Sequence, residues 1–440
     1  MAFTFRGGIH PPPMKELSDK VALRDAPVPE RVFIPLSQHI GAPAKVVVNK
    51  GDTVKMGQKI GELSAFVSCN IHSSVSGQVF KIEKMLDALG RYVDHVIIDN
   101  DGKDTKEYLP EHENPLELTA QEIKTIAGEA GLAGMGGATF PTFVKISPPD
   151  NKPVDTIILN GAECEPYLTS DHRLMLEMAE DVIIGGLLFM KAMNASKLYI
   201  GIEKNKPDAI EMMKKFAPKY DNVEIAELIT KYPQGAEKQL IDAVAKKEVP
   251  SGGLPFDTGC SVQNVGTAKA LYDAVRFGKP LIDRVVTITG TIVTNPVNVI
   301  ARIGTPYSFL LDAAGGTKEE AGKVISGGPM MGLAQKNLDV VVTKGTSGIL
   351  FFPRSQSLRR TEQPCISCGK CVEICPMRLM PTVIAQNSRL ERWDIAEKNN
   401  ALDCIECGSC SWICCAAQPL LDRIRRAKSE IQLIKRKGKK

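Results

Sequence analysis

Histidine is scarce and stops early: the chain has 6, and none follows His172. Mixed Cys/His zinc sites and Rieske centres are therefore excluded from the C-terminal half, where most of the cysteines lie. Long apolar runs are missing as well. The longest, residues 182–190, falls short of the roughly 18 residues a membrane span needs and is flanked by charge. The first residues lack the pattern of a secretory signal, so reduced cytosol is the expected compartment and a disulfide framework is not expected. With 43% hydrophobic and 24% charged residues the composition is that of ordinary soluble domains. A chain of 440 residues suggests roughly three of them.

The net charge of +4 hides an asymmetry. Residues 423–440 carry nine Lys/Arg against Glu430, a surplus of +8, which leaves about −4 on the rest. This tail reads either as a solvated, partly disordered end or as a cationic handle for an anionic membrane surface or an acidic partner. No aromatics interleave its cations and the body is acidic, so nucleic acid is not an expected partner.

What is abundant is cysteine, in one place. Of 12 cysteines, nine lie in residues 365–415. Cys365, Cys368, Cys371 and Cys375 have the spacing C-x2-C-x2-C-x3-C, and Cys404, Cys407, Cys410 and Cys414 repeat it. Three thiolates at steps of three can wrap one face of a [4Fe–4S] cube, while the fourth comes from the other run. The expected ligand sets are therefore crossed. Cys365, Cys368, Cys371 and Cys414 hold one cluster, and Cys375, Cys404, Cys407 and Cys410 hold the other. Zinc sites use separated pairs instead. The first run ends Cys375-Pro376 and the second Cys414-Cys415, so Cys415 is the alternative ligand to Cys414. Between the runs, Pro376 suits a helix N1 position, and Leu379, Met380, Val383 and Ile384, then Leu390, Trp393 and Ala396, recur at helical spacing.

Upstream, the chain divides into candidate domains. Residues 1–30 are Pro-rich and aperiodic and read as an extended arm. Residues 31–110 read as short strands with tight turns in two similar halves, 44–63 and 71–82. This pattern resembles the barrel-sandwich fold of biotinyl and lipoyl domains. No lysine stands between Glu62 and Gln78, so a carrier role is not expected and a docking module is. Residues 119–282 alternate strand and helix: a helix capped by Thr119 through Ala130, strand 155–160, helix 171–193, strand 197–203, helix 207–216, strand 223–228 and helix 235–247. Such alternation implies a parallel sheet. Gly131, Gly134, Gly136 and Gly137 cluster in a loop able to close backbone N–H groups on a phosphate. Asn160, Glu163 and Glu165 fall just past a strand's C-terminal end, where α/β proteins bind ligands.

The loop GLAGMGGATFPTFVK followed by NGAECEP closely resembles the flavin- and NADH-binding subunit of respiratory complex I. YPQGAEKQLI (232–241) and VQNVGTAKAL (262–271) match its later motifs more loosely. The resemblance implies an FMN site lined by Gly134, Gly136, Gly137, Lys145, Asn160, Glu163, Glu237, Asn264 and Thr267. It implies that Phe140 and Glu165 face the nicotinamide nucleotide as the catalytic residues. Ala162, Ala236 and Gln263 depart from the Asp, Glu and Asn of that family, and Ala133 and Met135 replace two arginines. Residues 284–335 resemble the soluble-ligand-binding β-grasp (SLBB) domain: RVVTITGTIV as a strand pair, 305–316 as a short helix, then a return to the sheet. Residues 336–361 read as the lead to an α-helical dicluster ferredoxin domain at 355–422, with the basic tail at 423–440.

Taken together, the arm, barrel-sandwich, flavin, β-grasp and ferredoxin segments are similar to the C subunits of the Rnf-type ion-translocating ferredoxin:NAD oxidoreductases. The resemblance implies a peripheral protein on the cytoplasmic side of the cell membrane. It would exchange hydride between NAD(H) and FMN and relay single electrons through two [4Fe–4S] clusters. Other subunits of the complex would be its partners, would link it indirectly to ferredoxin, and would couple the flow to Na+ or H+ movement. Two other readings remain: a cobalamin-reductase-type flavin and iron–sulfur enzyme, and a non-catalytic electron-relay scaffold.

Overall fold

The strand–helix alternation folds as a parallel sheet in the computed structural model, which describes residues 3–437. Strands Val223–Leu228, Lys197–Glu203, Thr156–Gly161 and Cys260–Asn264 lie side by side in that order, all parallel. The chain builds outward from Thr156–Gly161 in one direction. It then returns to lay Cys260–Asn264 on the other side of the same strand. That reversal opens a crevice at the carboxyl ends of the two strands, where Asn160 and Asn264 are in register. The expected helix over 171–193 is two helices, Ser170–Glu177 and Ala179–Met193, divided at Met178. The first is anchored at the crevice by Glu163. The second is pressed onto helix Val265–Arg276 so closely that a Cβ on Gly185 would lie 1.9 Å from the Ala268 carbonyl oxygen. One straight helix cannot meet both demands.

The barrel-sandwich half docks by its tip. Asn70 Nδ2 donates to the Gly128 carbonyl at 3.1 Å, and the buried Lys344 ammonium bridges the Asn70 and Gly131 carbonyls at 2.6 and 2.7 Å. Here the tip of a carrier-like fold is a fixed contact against the base of the glycine loop. Its core and that of the parallel sheet form one continuous apolar cluster.

Three expectations for the next region are corrected. The strand after Asp283–Thr289 is Val297–Arg302, not the second half of RVVTITGTIV, because Gly290 takes φ 124 with Phe351 backbone against it and turns the chain away. The β-grasp sheet does not close within 284–335. Its central strand is Gly348–Pro353, buried throughout and paired to both Asp283–Thr289 and Ala321–Ser326. The N-terminal arm is not extended throughout, since Lys15–Leu17 makes one helical turn, and Arg24–Asp25 then adds a parallel edge strand to the same sheet.

The C-terminal unit is helical, and two expectations change. The helix after the first cysteine run starts at Pro381, not Pro376, and Leu379 and Met380 lie before it. The basic tail is helical rather than disordered over Leu420–Lys437, with 432–437 exposed, while residues 438–440 lie outside those described. Leu420, Ile424, Ala427 and Ile431 make an i, i+4, i+7, i+11 stripe that packs on Ile384, Ala385 and Ala396. Its cations meet this chain's own acids: Arg423 with Glu362, Arg425 and Lys428 with Glu406, Arg426 with Glu391, and Lys435 with Glu397. Among the described residues no helix is long and apolar enough to cross a membrane.

Candidate functional site

The two cysteine loops are copies of one backbone, displaced by 39 residues. Ser367 and Glu406 take φ 55 and 58, Gly369 and Gly408 take 76 and 78, and Arg378 and Ala417 take 54 and 51. Each loop leads into one short turn of helix, Lys370–Glu373 or Ser409–Ile413. Left-handed residues at matched positions turn the chain the same way between successive cysteines of each loop.

The fourth thiol of each run leaves its own loop. Cys375 lines a cavity with Cys404, Cys407 and Cys410, walled by Leu379, Leu421 and Ile424. Cys371 is instead flanked by Cys414 and Cys365. One crossed set thus shares a cavity, and three members of the other, Cys365, Cys371 and Cys414, are neighbours. Cys414 and Cys375 are equivalent in detail: Sγ of Cys375 accepts from Leu379 N–H at 3.4 Å, and Sγ of Cys414 from Gln418 N–H at 3.4 Å. Cys415 is exposed, and its side chain lies against Cys368. Among the described residues no three His, Cys, Asp or Glu side chains converge on one ion. Cys375, Cys404, Cys407 and Cys410 surround a space, as a cube of metal and sulfide requires. Burial raises the Cys404 thiol to about 11 and pushes Cys407 and Cys410 up as well. Bound metal would offset the charge of the buried thiolates. The donor set fits two [4Fe–4S] clusters, an inner one against the rest of the protein and an outer one whose Cys365 and Cys368 face solvent.

At the crevice, the structure gathers the expected flavin residues. The glycine loop closes on itself through Gly134 N–H to the Phe140 carbonyl at 2.8 Å, leaving Gly136 and Gly137 exposed at its apex. Helix Val265–Arg276 holds that loop. Thr267 Oγ1 accepts from Met135 N–H at 2.9 Å, and a Cβ on Gly136, at φ 73, would lie 2.9 Å from Asn264 Nδ2. Asn264 also caps the helix by accepting from Gly266 N–H. Asn160 ties the next two segments, donating to the Gly235 carbonyl at 2.8 Å and accepting from Ala162 N–H. Lys145 and Glu237 form a 2.8 Å ion pair at the rim. Thr139, Glu163 and Tyr167 hold φ of 53, 46 and 70, strain concentrated where a ligand must be approached. A cradle of exposed glycine backbone, a helix start and one lysine fits a phosphate-bearing flavin.

Two expected roles change. Glu163 does not point into the crevice. Its carboxylate accepts from Ser170 Oγ and from Asp171 and His172 N–H, and so caps helix Ser170–Glu177. Glu165 is not an open wall either. Its two oxygens accept from Met330 and Met331 N–H at 2.9 and 2.8 Å, in the Gly-Gly-Pro-Met-Met loop of the β-grasp domain. Desolvation raises its carboxyl to about 7, against those two N–H groups and Lys15. A carboxyl raised in the folded state favours folding while protonated. Its contribution is therefore present below its unfolded value near 4.5 and is lost as pH rises to 7. Unfolding of Glu165→Gln and the parent between pH 5 and 8 is expected to diverge with pH, with the parent losing on the order of 2 kcal/mol. A constant difference would contradict the assignment.

Sequence reading missed the lysines that hold this loop. Lys15, from the arm, donates to the carbonyls of Glu163, Glu165 and Leu168 at 2.7, 2.9 and 2.5 Å. Lys206 donates to that of Ala162 at 2.7 Å and pairs with Glu203. Neither lysine carries a local signal, because each is defined only by the loop it meets.

The whole is a flavin and iron–sulfur electron-transfer protein, in which a nucleotide-type crevice abuts a two-cluster module. Residues 127–273 match the family of the Nuo51 FMN-binding domain, 3–103 the RnfC barrel sandwich hybrid domain, 285–334 the SLBB domain and 357–415 the 4Fe-4S dicluster domain. The chain is 50% identical over 99% of its length to the C subunit of the Na(+)-translocating ferredoxin:NAD(+) oxidoreductase complex of Acetobacterium woodii, covering 98% of that protein. It is 49% identical over 98% of its length to the proton-translocating counterpart of Clostridium ljungdahlii, covering 94% of it. A chain of the NAD+-reducing [NiFe]-hydrogenase shares the fold, with a TM-score of 0.51 at 19% identity over 73% of this chain and 65% of that one. The chain belongs to the RnfC family, the C subunits of the ion-translocating ferredoxin:NAD oxidoreductase complexes.

Proposed function

We propose that this chain exchanges electrons between NAD(H) and a membrane-bound ion-translocating complex, as its peripheral subunit on the cytoplasmic side. Bound FMN supplies the conversion between two-electron hydride chemistry and single electrons, and each [4Fe–4S] cluster carries one electron. The chain's own residues do the placing. Lys145 and the exposed 136–137 backbone would hold the flavin phosphate, and Thr267 holds that loop through Met135 N–H. Asn160 fixes the two segments that flank the ring, and Phe140 offers an apolar edge to the nicotinamide. The Met330 and Met331 N–H groups hold the Glu165 carboxylate, and with it that loop, in place.

The observation that carries this reading is the adjacency of crevice and inner cluster. Gln239, two residues beyond Glu237, donates to the Pro376 carbonyl next to ligand Cys375. The exposed Cys365 and Cys368 make the outer cluster the exit to another subunit, and through it, indirectly, to ferredoxin. Ion movement, of Na+ or H+, belongs to other chains of the complex. The two relatives carry different ions in their names at nearly equal identity.

Protein purified without oxygen is expected to contain one FMN and about eight irons per chain and to reduce an artificial acceptor with NADH. Lys145→Ala removes the rim cation and is expected to lower flavin retention about tenfold while leaving iron content unchanged. Full flavin retention in Lys145→Ala would place the phosphate elsewhere. Clusters without flavin in the parent would favour a relay scaffold.

A further inference from the structure

Four modules converge on one dry junction. Ile9 of the arm, Cys164 and Tyr232 of the flavin domain, Met330 of the β-grasp loop, and Ile374 and Cys407 of the cluster module pack together there. Such a junction is ordinary apolar packing except for one polar atom. Tyr232 is 1% exposed, and its hydroxyl donates to the Cys407 carbonyl at 2.7 Å. Phenylalanine would fill the space equally well without a hydroxyl to satisfy. Among the described residues, this is the one side-chain hydrogen bond from the flavin domain that ends on a cluster-ligand cysteine.

The same short segment reaches the flavin cradle. Gly235 N–H donates to Cys164 Sγ at 3.3 Å, the Gly235 carbonyl accepts from Asn160, and Glu237 pairs with Lys145. Residues 232–237 thus run from an inner-cluster ligand to the crevice. The arm closes the junction from the other side, with Gly8 N–H on the Ile374 carbonyl and Ile9 paired to Tyr232.

We propose that Tyr232 is the positioning residue that couples the flavin domain to the inner cluster, through its hydrogen bond to the Cys407 carbonyl. The bond fixes the Cys407 loop at contact distance from the crevice segment. It also draws electron density from the ligand's backbone, which makes the inner cluster easier to reduce. The flavin would supply electrons singly, and the cluster held by Cys407 would take one at a time. No bond of Tyr232 breaks, and its proton stays on oxygen.

This inference rests on the function proposed above, and its test separates the two. Full-length Tyr232→Phe, with its cofactors, is mixed with NADH in a stopped-flow instrument without oxygen, and its cluster potentials are titrated with dithionite and mediators. Flavin bleaching is expected at the parent rate. Reduction of the inner cluster is expected to slow by about tenfold, and its potential to move negative while the outer one holds. Ile9→Val, which alters packing and keeps the hydroxyl, is expected to match the parent. Unchanged cluster reduction and potential in Tyr232→Phe would overturn the proposal. Loss of flavin or iron in that variant would also overturn it, by making the phenol a structural prop. If NADH fails to bleach the parent, the functional reading fails, and the potentials still decide the role of Tyr232.

Discussion

Cys375→Ser is expected to change the cluster held by the second loop and to leave that of its own loop intact. Cys375 shares a cavity with Cys404, Cys407 and Cys410, and its Sγ is already fixed there by Leu379 N–H. Cys414→Ser is expected to do the reverse, disturbing the cluster of Cys365, Cys368 and Cys371. Serine oxygen is a poorer partner for iron than thiolate, so the affected cluster is lost or altered outright rather than weakened. Cys415→Pro is expected to keep both clusters, since the Gln418 bond marks Cys414 as the counterpart of Cys375. Low-temperature electron paramagnetic resonance of the three variants resolves the two clusters. Loss of a cluster in Cys415→Pro with a normal spectrum in Cys414→Ser would reverse the assignment.

The second large effect lies outside any ligand. Ile424→Asp is expected to empty the inner cluster. Ile424 is 1% exposed, lines the inner cavity, and belongs to the stripe that docks helix Leu420–Lys437. Losing a buried isoleucine costs about 2–5 kcal/mol, and an unpaired carboxylate in its place adds to that. The ion pairs on the same helix weigh far less. Arg426–Glu391 and Lys435–Glu397 are exposed pairs, each contributing about 0–1 kcal/mol. Lys435→Ala is therefore expected to leave iron content and unfolding midpoint nearly unchanged. Iron analysis and denaturant unfolding of both variants check this. Equal sensitivity would mean that charge, not the apolar stripe, holds the helix.

The helix also shows where sequence reasoning reaches its end. Its cations were plain in the sequence, but the acids that meet them, Glu362, Glu391, Glu397 and Glu406, are scattered over 45 residues. Only tertiary folding makes them a surface. Strand Gly348–Pro353 was missed for a related reason. It is the centre of its sheet, but it follows a long irregular stretch, and a short apolar run carries no period. Strands Lys197–Glu203 and Val223–Leu228 and helix Pro207–Phe216 were legible to the residue, because each alternates cleanly with its neighbours.

The candidate site was legible to the same degree. Cysteine spacing marked eight candidate ligands, and four of them, Cys375, Cys404, Cys407 and Cys410, line one cavity. The glycine loop, Asn160, Asn264 and Thr267 were found by their motif and do converge. Glu163 and Glu165 were located but misread. A carboxylate's position along the chain does not reveal that a helix start or another domain's N–H groups will occupy its oxygens. Lys15 lies about 150 residues from the loop it grips, and no local pattern could announce it.

The central claim is that electrons pass between NAD(H) and two clusters through a flavin in this chain. The direct measurement is to mix the cofactor-complete protein with NADH in the absence of oxygen. Flavin absorbance is followed first, and then both clusters by electron paramagnetic resonance. Rapid bleaching of the flavin is expected, followed by reduction of the inner and then the outer cluster. Intact flavin and clusters that NADH leaves oxidised would contradict it and leave a relay scaffold in its place.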